Sequence, residues 1–86
     1  IKLDTGMHRL GFPLAALSEI VNRLQKIKNI AQPLQFMTHF VSPEQLDNSL
    51  TLHQSQQFLS ATENFSGLRS MANSAAIIGW PQTHCD

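Results

Sequence analysis

Cationic, imidazole and hydroxyl side chains follow three short apolar segments of this 86-residue chain. If those segments are neighbouring parallel strands, their carboxyl ends meet at one edge of the sheet and bring these side chains together. Such an edge suits an anionic ligand, for example one that carries a phosphate group. The residues concerned are, in chain order, Lys2, Asp4, Thr5, Gly6, His8, Arg9, Thr38, His39, Asn73 and Ser74.

Two interpretations stay open for Asn73 and Ser74, which open a short helical pattern. Free backbone N–H groups at a helix start favour anions, and the Ser74 hydroxyl could donate to a phosphate. Asn and Ser are equally the usual helix caps. Arg9 also has two interpretations. Its planar guanidinium could bind a carboxylate or phosphate, or it could be solvated or paired with Asp4.

The remaining candidates also have structural alternatives. His39, at the end of an apolar segment, could be a hydrogen-bonded structural histidine. Lys2 stands inside a short apolar segment, where an ammonium group needs a partner, a chemical change or a path to the surface. No metal site is expected, since metal-type spacing is absent among His8, His39, His53, His84 and Cys85.

The composition excludes several classes of function. Six Lys and Arg balance six Asp and Glu without forming a basic stripe, so nucleic acid is not an expected partner. No apolar run reaches the length of a membrane span, and the Gly-x-Ser-x-Gly elbow, the P-loop and the dinucleotide motif are missing. A charged fraction of 14% is low for a small domain standing alone and favours a segment of a larger one.

Strand and helix patterns alternate along the chain. Apolar segments bounded by turn residues predict strands over residues 1–3, 34–40 and 68–72. Helical spacing predicts a first helix that begins with Pro13 in its first turn, a second over about residues 49–63, and a single turn over 74–78.

The two longer helices are expected to pack through different faces. The first has a continuous apolar face, formed by Leu14, Leu17, Ile20, Val21, Leu24 and Ile27. The second has a narrower face with a Gln-rich side opposite, and this face is formed by Leu52, Ser55, Phe58, Leu59 and Thr62.

The element order predicts an α/β fold with parallel strands, either an open doubly wound sheet or a closed barrel. Periodicity alone does not choose between the two. Because no repeat, linker or low-complexity tract interrupts the pattern, residues 1–86 are interpreted as a single partial domain without an internal boundary.

Three sequence blocks resemble the alanine racemase family. The decapeptide KLDTGMHRLG at residues 2–11 closely resembles the family signature K-[hydrophobic]-D-T-G-M-x-R-L-G, THF at 38–40 resembles [ST]-H-F, and ANSAA at 72–76 matches A-N-S-A-A. Residues 80–86 resemble the segment that leads into an R-P-G motif. One departure is VSPE at 41–44, where the family usually has A-x-A-D-E.

The resemblance implies a partial TIM-type (β/α)8 barrel, of which this chain would supply a β-α-β-α-β segment. It implies a cytoplasmic homodimeric enzyme that interconverts L-alanine and D-alanine through pyridoxal phosphate and supplies D-alanine for peptidoglycan precursors. No membrane or nucleic-acid partner is implied.

The resemblance also implies roles for individual residues. Arg9 would contact the phenolic oxygen of the cofactor and help to hold the substrate. Lys2 would be the lysine that is often carbamylated, and the resulting anion would pair with Arg9. His39 would hydrogen-bond an arginine that faces the pyridine nitrogen. Asn73 and Ser74 would form a cofactor-side pair, with Ser74 on the phosphate.

Both catalytic bases of the family are expected outside these residues. The Schiff-base lysine would lie upstream of Ile1, the pyridine-nitrogen arginine would follow Asp86, and the second base would be a tyrosine of the partner subunit; the chain itself contains no Tyr. The segment alone is therefore expected to lack racemase activity. The alternatives are a non-catalytic barrel that binds pyridoxal phosphate, another fold-type III racemase or decarboxylase, and an independent interaction domain.

Overall fold

A computed structural model describes residues 1–85 of the chain. Short strands alternate with helices, as the sequence predicts. The elements are, in chain order, β1 (Leu3–Asp4), β2 (Phe12–Pro13), a 3₁₀ helix (Leu14–Ala16), α1 (Leu17–Gln25), β3 (Phe36–Met37), α2 (Ser49–Thr62), β4 (Arg69–Ser70), α3 (Ser74–Gly79) and a second 3₁₀ helix (Pro81–Thr83).

All strand pairs are parallel, which confirms the predicted α/β class. β1 pairs with β2, and β3 pairs with β4. A parallel bridge between Lys2 and Met37 joins the two pairs. The spatial order is therefore β2, β1, β3, β4, and the carboxyl ends of all four strands point in one direction.

The strand array has a face that is covered by the helices and a face that is open. Because successive strand residues point to opposite sides, Leu3 and Phe36 are buried while Lys2 and Met37 lie on the other side, with Met37 43% exposed. The buried apolar core consists of Leu3, Leu17, Val21, Leu34, Phe36, Phe40, Phe58, Met71, Ala76 and Trp80.

The start of the first helix differs from the prediction. Pro13 lies before the helical segment, in an extended conformation with φ −64° and ψ 145°, and ends β2. β2 was not predicted from the sequence, because a two-residue strand is too short to show alternation. The helix also ends earlier than predicted, so that Ile27 lies beyond α1 and is 48% exposed.

The predicted strands are in the right places but are too long. Within residues 1–85, strand pairing is limited to the elements given above and the Lys2–Met37 bridge, although residues 34–40 and 68–72 were predicted to be extended throughout. At the start of the chain, β1 includes Asp4, which the sequence analysis had assigned to the following loop. Strand bounds depend on which residues find a hydrogen-bonding neighbour, and local sequence does not show this.

The predicted packing face of α2 is wrong in two positions. Leu52 is 38% exposed, whereas Gln54, which was placed on the polar side, is fully buried. The buried residues of α2 are Thr51, Gln54, Ser55, Phe58 and Thr62. Hydrogen bonds to the two neighbouring strand ends, described below, satisfy the Gln54 amide and make its burial favourable.

Candidate functional site

Lys2, Arg9 and His39 surround one narrow crevice at the carboxyl ends of β1 and β3, and Asp4 and Met7 also line it. Lys2 and His39 are half-buried, and Arg9 is exposed. Lys2 and His39 come together because their strands are parallel neighbours. The crevice itself has no room for a water molecule, so an anionic ligand would contact the two cationic side chains and the imidazole from the open face of the strand array.

The Asp4 carboxylate organises the loop that leads from β1 to Arg9. Its Oδ1 accepts hydrogen bonds from the backbone N–H groups of Gly6 and His8, both at 3.0 Å, and its Oδ2 lies 2.9 Å from His8 Nδ1. The His8 N–H, the Gly6 N–H and the His8 ring together lower the pKa of Asp4 from 3.8 to about 2. The alternative pairing of Asp4 with Arg9 is not found in the described residues, where the His8 ring is the side-chain partner of Asp4.

The same loop bends sharply at two residues. His8 has a φ of 56°, a left-handed conformation that its contacts with Asp4 support. Gly11 has a φ of 113°, and a Cβ at this position would lie 3.1 Å from the backbone nitrogen of Asp4. Only glycine lets the chain pass so close to β1, where the Phe12 N–H donates to the Lys2 carbonyl at 2.9 Å.

Behind the crevice, on the covered face, hydrogen bonds connect β1, β3 and α2. The Thr38 hydroxyl donates to the Leu3 carbonyl at 2.8 Å, and the hydroxyl oxygens of Thr5 and Thr38 are also 2.8 Å apart. Since Thr38 has a single hydroxyl proton, Thr5 is the donor to Thr38. Gln54 Nε2 then donates to the Thr5 oxygen at 3.2 Å. The direction of every bond in this buried chain is thereby determined.

Gln54 also binds the end of the second strand. Its Nε2 donates to the His39 carbonyl at 3.3 Å, and its Oε1 accepts from the Val41 N–H at 3.1 Å. This residue was not predicted from the sequence, because the two other glutamines of α2, Gln56 and Gln57, mark a polar side. The available signal was the spacing of Gln54 one helical turn before Phe58, which places both side chains on the same face.

Asn73 and Ser74 follow β4 at the same edge of the array. Asn73 Oδ1 accepts the Ala76 N–H at 3.1 Å, so that Asn73 is the N-cap of α3, in agreement with the cap interpretation. Ser74 is exposed, and within residues 1–85 its hydroxyl has no hydrogen-bond partner. Neither residue lines the crevice of Lys2, Arg9 and His39.

The loop over residues 41–44 is held at two points. Gln54 binds Val41 near its start, and the indole Nε1 of Trp80 donates to the buried Pro43 carbonyl at 2.6 Å. These contacts position the loop although its sequence departs from the family pattern. Asp86, the last residue of the segment 80–86 that resembles the approach to the R-P-G motif, lies outside the described residues.

Two further features are absent from residues 1–85. In that range, no group of three or more His, Cys, Asp and Glu side chains is arranged to hold a metal ion. Over the same residues, no helix is both long and apolar enough to pass through a bilayer.

The fold and the site together define a segment of a parallel β/α domain with cationic and hydroxyl groups at one edge of its strands. Two solved structures share this arrangement. The crystal structure of biosynthetic alanine racemase from Pseudomonas aeruginosa superposes with a TM-score of 0.90 and 38% identity, covering 100% of this chain and 24% of that chain. The alanine racemase from Acinetobacter baumannii gives a TM-score of 0.83 and 34% identity, covering 100% of this chain and 23% of that chain.

Sequence comparison gives the same family. The family model described as alanine racemase, N-terminal domain, matches residues 1–86. The chain is 45% identical to the alanine racemase of Aeromonas hydrophila and 48% identical to that of Shewanella denitrificans, each over 100% of this chain. It spans 24% of the length of these relatives. The chain belongs to the alanine racemase N-terminal domain family, which confirms the predicted barrel class.

Proposed function

We propose that this chain forms part of the cofactor site of an alanine racemase, and that the complete protein interconverts L-alanine and D-alanine with pyridoxal phosphate. The observation that carries the proposal is the meeting of Lys2, Arg9 and His39 in one crevice, in a chain whose relatives are alanine racemases. D-alanine production would serve peptidoglycan precursor supply. The homodimer and the cytoplasmic location stay predictions.

The groups at the strand ends fit a phosphate-bearing aromatic cofactor. The exposed Ser74 hydroxyl, unpaired within residues 1–85, is available to a phosphate oxygen. The exposed Arg9 guanidinium is available to a phenolic oxygen or a carboxylate, both of which match its planar donor geometry. When bound, pyridoxal phosphate draws electrons from the α-carbon of the amino acid and makes its proton labile.

Each residue then has a distinct task in the proposed site. Arg9 binds the phenolic oxygen and helps to hold the substrate carboxylate. His39 hydrogen-bonds an arginine that faces the pyridine nitrogen in the complete protein. Asn73 caps α3 and thereby fixes the backbone that presents Ser74. Racemisation needs one base on each face of the α-carbon, and we assign both bases to parts of the complete protein outside this chain.

Lys2 is proposed to carry a carbamate. Its backbone is fixed on both sides, by the Phe12 N–H and by the bridge to Met37, and its half-buried side chain shares the crevice with Arg9. An ammonium beside a guanidinium is unfavourable, whereas a carbamate is a negatively charged partner for it. The Nζ amine would add carbon dioxide and release a proton, and mass spectrometry of the intact protein would detect the added group.

Chiral chromatography of alanine after incubation with the complete protein tests the function. We expect the purified protein, loaded with pyridoxal phosphate, to convert either enantiomer of alanine to an equal mixture. A protein that retains the cofactor and leaves both enantiomers unchanged would instead be a non-catalytic binding barrel. Turnover of another amino acid in preference to alanine would indicate a different racemase or decarboxylase.

A further inference from the structure

We infer that Gln54 is a positioning residue, which holds the strand end that leads to Arg9 at a fixed distance from the strand end that carries His39. The inference deepens the proposed function and rests on it for the identity of the ligand that contacts Arg9 and His39. Gln54 lies on α2, outside the sequence blocks that resemble the family.

A single side-chain amide contacts both strand ends. On the β1 side, Nε2 donates to Thr5, which follows the loop-organising Asp4 directly. On the β3 side, Nε2 donates to the His39 carbonyl and Oε1 accepts the Val41 N–H. Since these contacts use the same planar group, any movement of one strand end relative to the other must break at least one of them.

Gln54 acts from the side opposite to the crevice. The alternation along β1 and β3 places Thr5 and Thr38 on the covered face, and both hydroxyl groups are buried there. Lys2 and His39 lie on the open face, where they line the crevice. Gln54 is fully buried, so it does not reach a ligand in the crevice and acts through the two backbones.

In the buried series of hydrogen bonds that runs from Gln54 to Leu3, each group is already engaged with its partner. Gln54 donates to Thr5, Thr5 donates to Thr38, and Thr38 donates to the Leu3 carbonyl. Without the Gln54 amide, the His39 carbonyl and the Val41 N–H lose a partner at the end of the strand that forms the crevice. Buried groups that lose their partners favour rearrangement or water entry. Displacement of the two strand ends is the expected result.

The test replaces Gln54 by Met in the complete protein, which keeps an unbranched side chain of similar length and removes every polar contact. Thr62→Val is the matched control. Thr62 is also fully buried on α2, and its hydroxyl donates to the Phe58 carbonyl at 2.8 Å within the helix. Both variants lose a buried hydrogen bond, but only Gln54→Met disconnects the strand ends.

Hydrogen–deuterium exchange gives the structural readout. We expect Gln54→Met to increase exchange of the Val41 amide and of residues 4–9, whereas Thr62→Val leaves both segments at the wild-type rate. Thr5→Val is the second variant, in case Gln54→Met does not fold, and it should increase exchange over residues 4–9 alone. Unchanged exchange in these segments in either Gln54→Met or Thr5→Val would overturn the inference.

Kinetics give the functional readout. We expect Gln54→Met to lower kcat/KM for alanine by about 10- to 100-fold through misplacement of binding groups, while Thr62→Val stays close to the wild type. Both variants are assayed well below their Tm values, so that a loss of stability does not itself lower the amount of folded protein. If Gln54→Met and Thr62→Val lose activity in proportion to stability, the role is structural and the inference fails. If the wild-type protein itself does not turn over alanine, the proposed function fails, and the exchange measurement still decides whether Gln54 positions the strand ends.

Discussion

The hydroxyl oxygens of Thr5 and Thr38 lie 2.8 Å apart, although the residues are separated by 33 positions in the sequence. The contact joins the carboxyl ends of β1 and β3 on the covered face, directly behind the crevice of Lys2, Arg9 and His39. The covered face behind the crevice is therefore polar and hydrogen-bonded, and the Thr5–Thr38 hydrogen bond fixes the position of one strand end relative to the other.

Replacement of Thr38 by Val tests how much the hydrogen bonds of its hydroxyl group contribute to the free energy of unfolding. Val keeps the shape of Thr and removes the hydroxyl, which leaves the Leu3 carbonyl and the Thr5 hydroxyl without this partner. We expect the free energy of unfolding of the complete protein to fall by about 1–3 kcal/mol. Thr38→Ser keeps the hydroxyl and should cost less. Equal losses for the two variants in chemical denaturation would contradict the hydrogen-bond account.

Asp4 should make the stability of the protein depend on acidic pH. Its pKa is lowered from 3.8 to about 2 by the backbone N–H groups of His8 and Gly6 and by the His8 ring. A carboxyl group with a lowered pKa in the folded state contributes stability that is complete above its unfolded pKa and is lost as the pH falls through the folded value. The stability difference between wild type and Asp4→Asn should therefore shrink as the pH falls from about 4 to about 2. An NMR titration that gives Asp4 a midpoint near 3.8 would show that the loop contacts are absent in solution.

The sequence was sufficient to predict which residues stand at the strand ends, because apolar segments followed by polar side chains are a local signal. His39 and Asn73 were assigned in this way, and the parallel pairing of β3 with β4 brings their strand ends to one edge. Lys2 lies just before β1 and was singled out instead as a cation inside an apolar segment. The capping role of Asn73 was also predictable, since it depends on a backbone group three residues away.

The buried hydrogen-bond network could not be predicted in the same way. Gln54 is polar and belongs to a Gln-rich helix. Its spacing from Phe58 places it on the packed face, but its partners at the ends of β1 and β3 appear in the structure alone. β2 was not predicted for a similar reason. Its pairing with β1 requires the loop to pass close to β1, and the conformation of Gly11 allows this. Both features arise from contacts between segments far apart in the chain, and local periodicity does not record such contacts.

Arg9→Ala should impair turnover more than cofactor retention. Arg9 lines the crevice at the end where we place the substrate, and its loss removes a charge-assisted contact. We expect kcat/KM for alanine to fall by about 10- to 100-fold, with a smaller change in the dissociation constant of the cofactor. Steady-state kinetics and absorbance titration measure the two quantities, and parallel loss of both would argue against the assignment of Arg9 to the reacting end.

Ser74→Ala should impair cofactor retention more than turnover. The Ser74 hydroxyl is exposed and has no partner within residues 1–85, so its removal should leave the fold intact and weaken retention of the phosphate-bearing cofactor first. Asn73→Ala provides the comparison, because it removes the helix cap and should lower Tm as well. If Ser74→Ala retains the cofactor as tightly as the wild type, Ser74 is an ordinary first residue of α3.

The central claim, that the complete protein is a racemase, is tested most directly by following L-alanine in deuterium oxide. Racemisation breaks the Cα–H bond, so a proton from the solvent replaces the one removed. With protein and pyridoxal phosphate present, the account predicts loss of optical activity together with deuterium at the α-carbon. Retained optical activity and an unexchanged α-proton, in a protein shown to hold the cofactor, would contradict it.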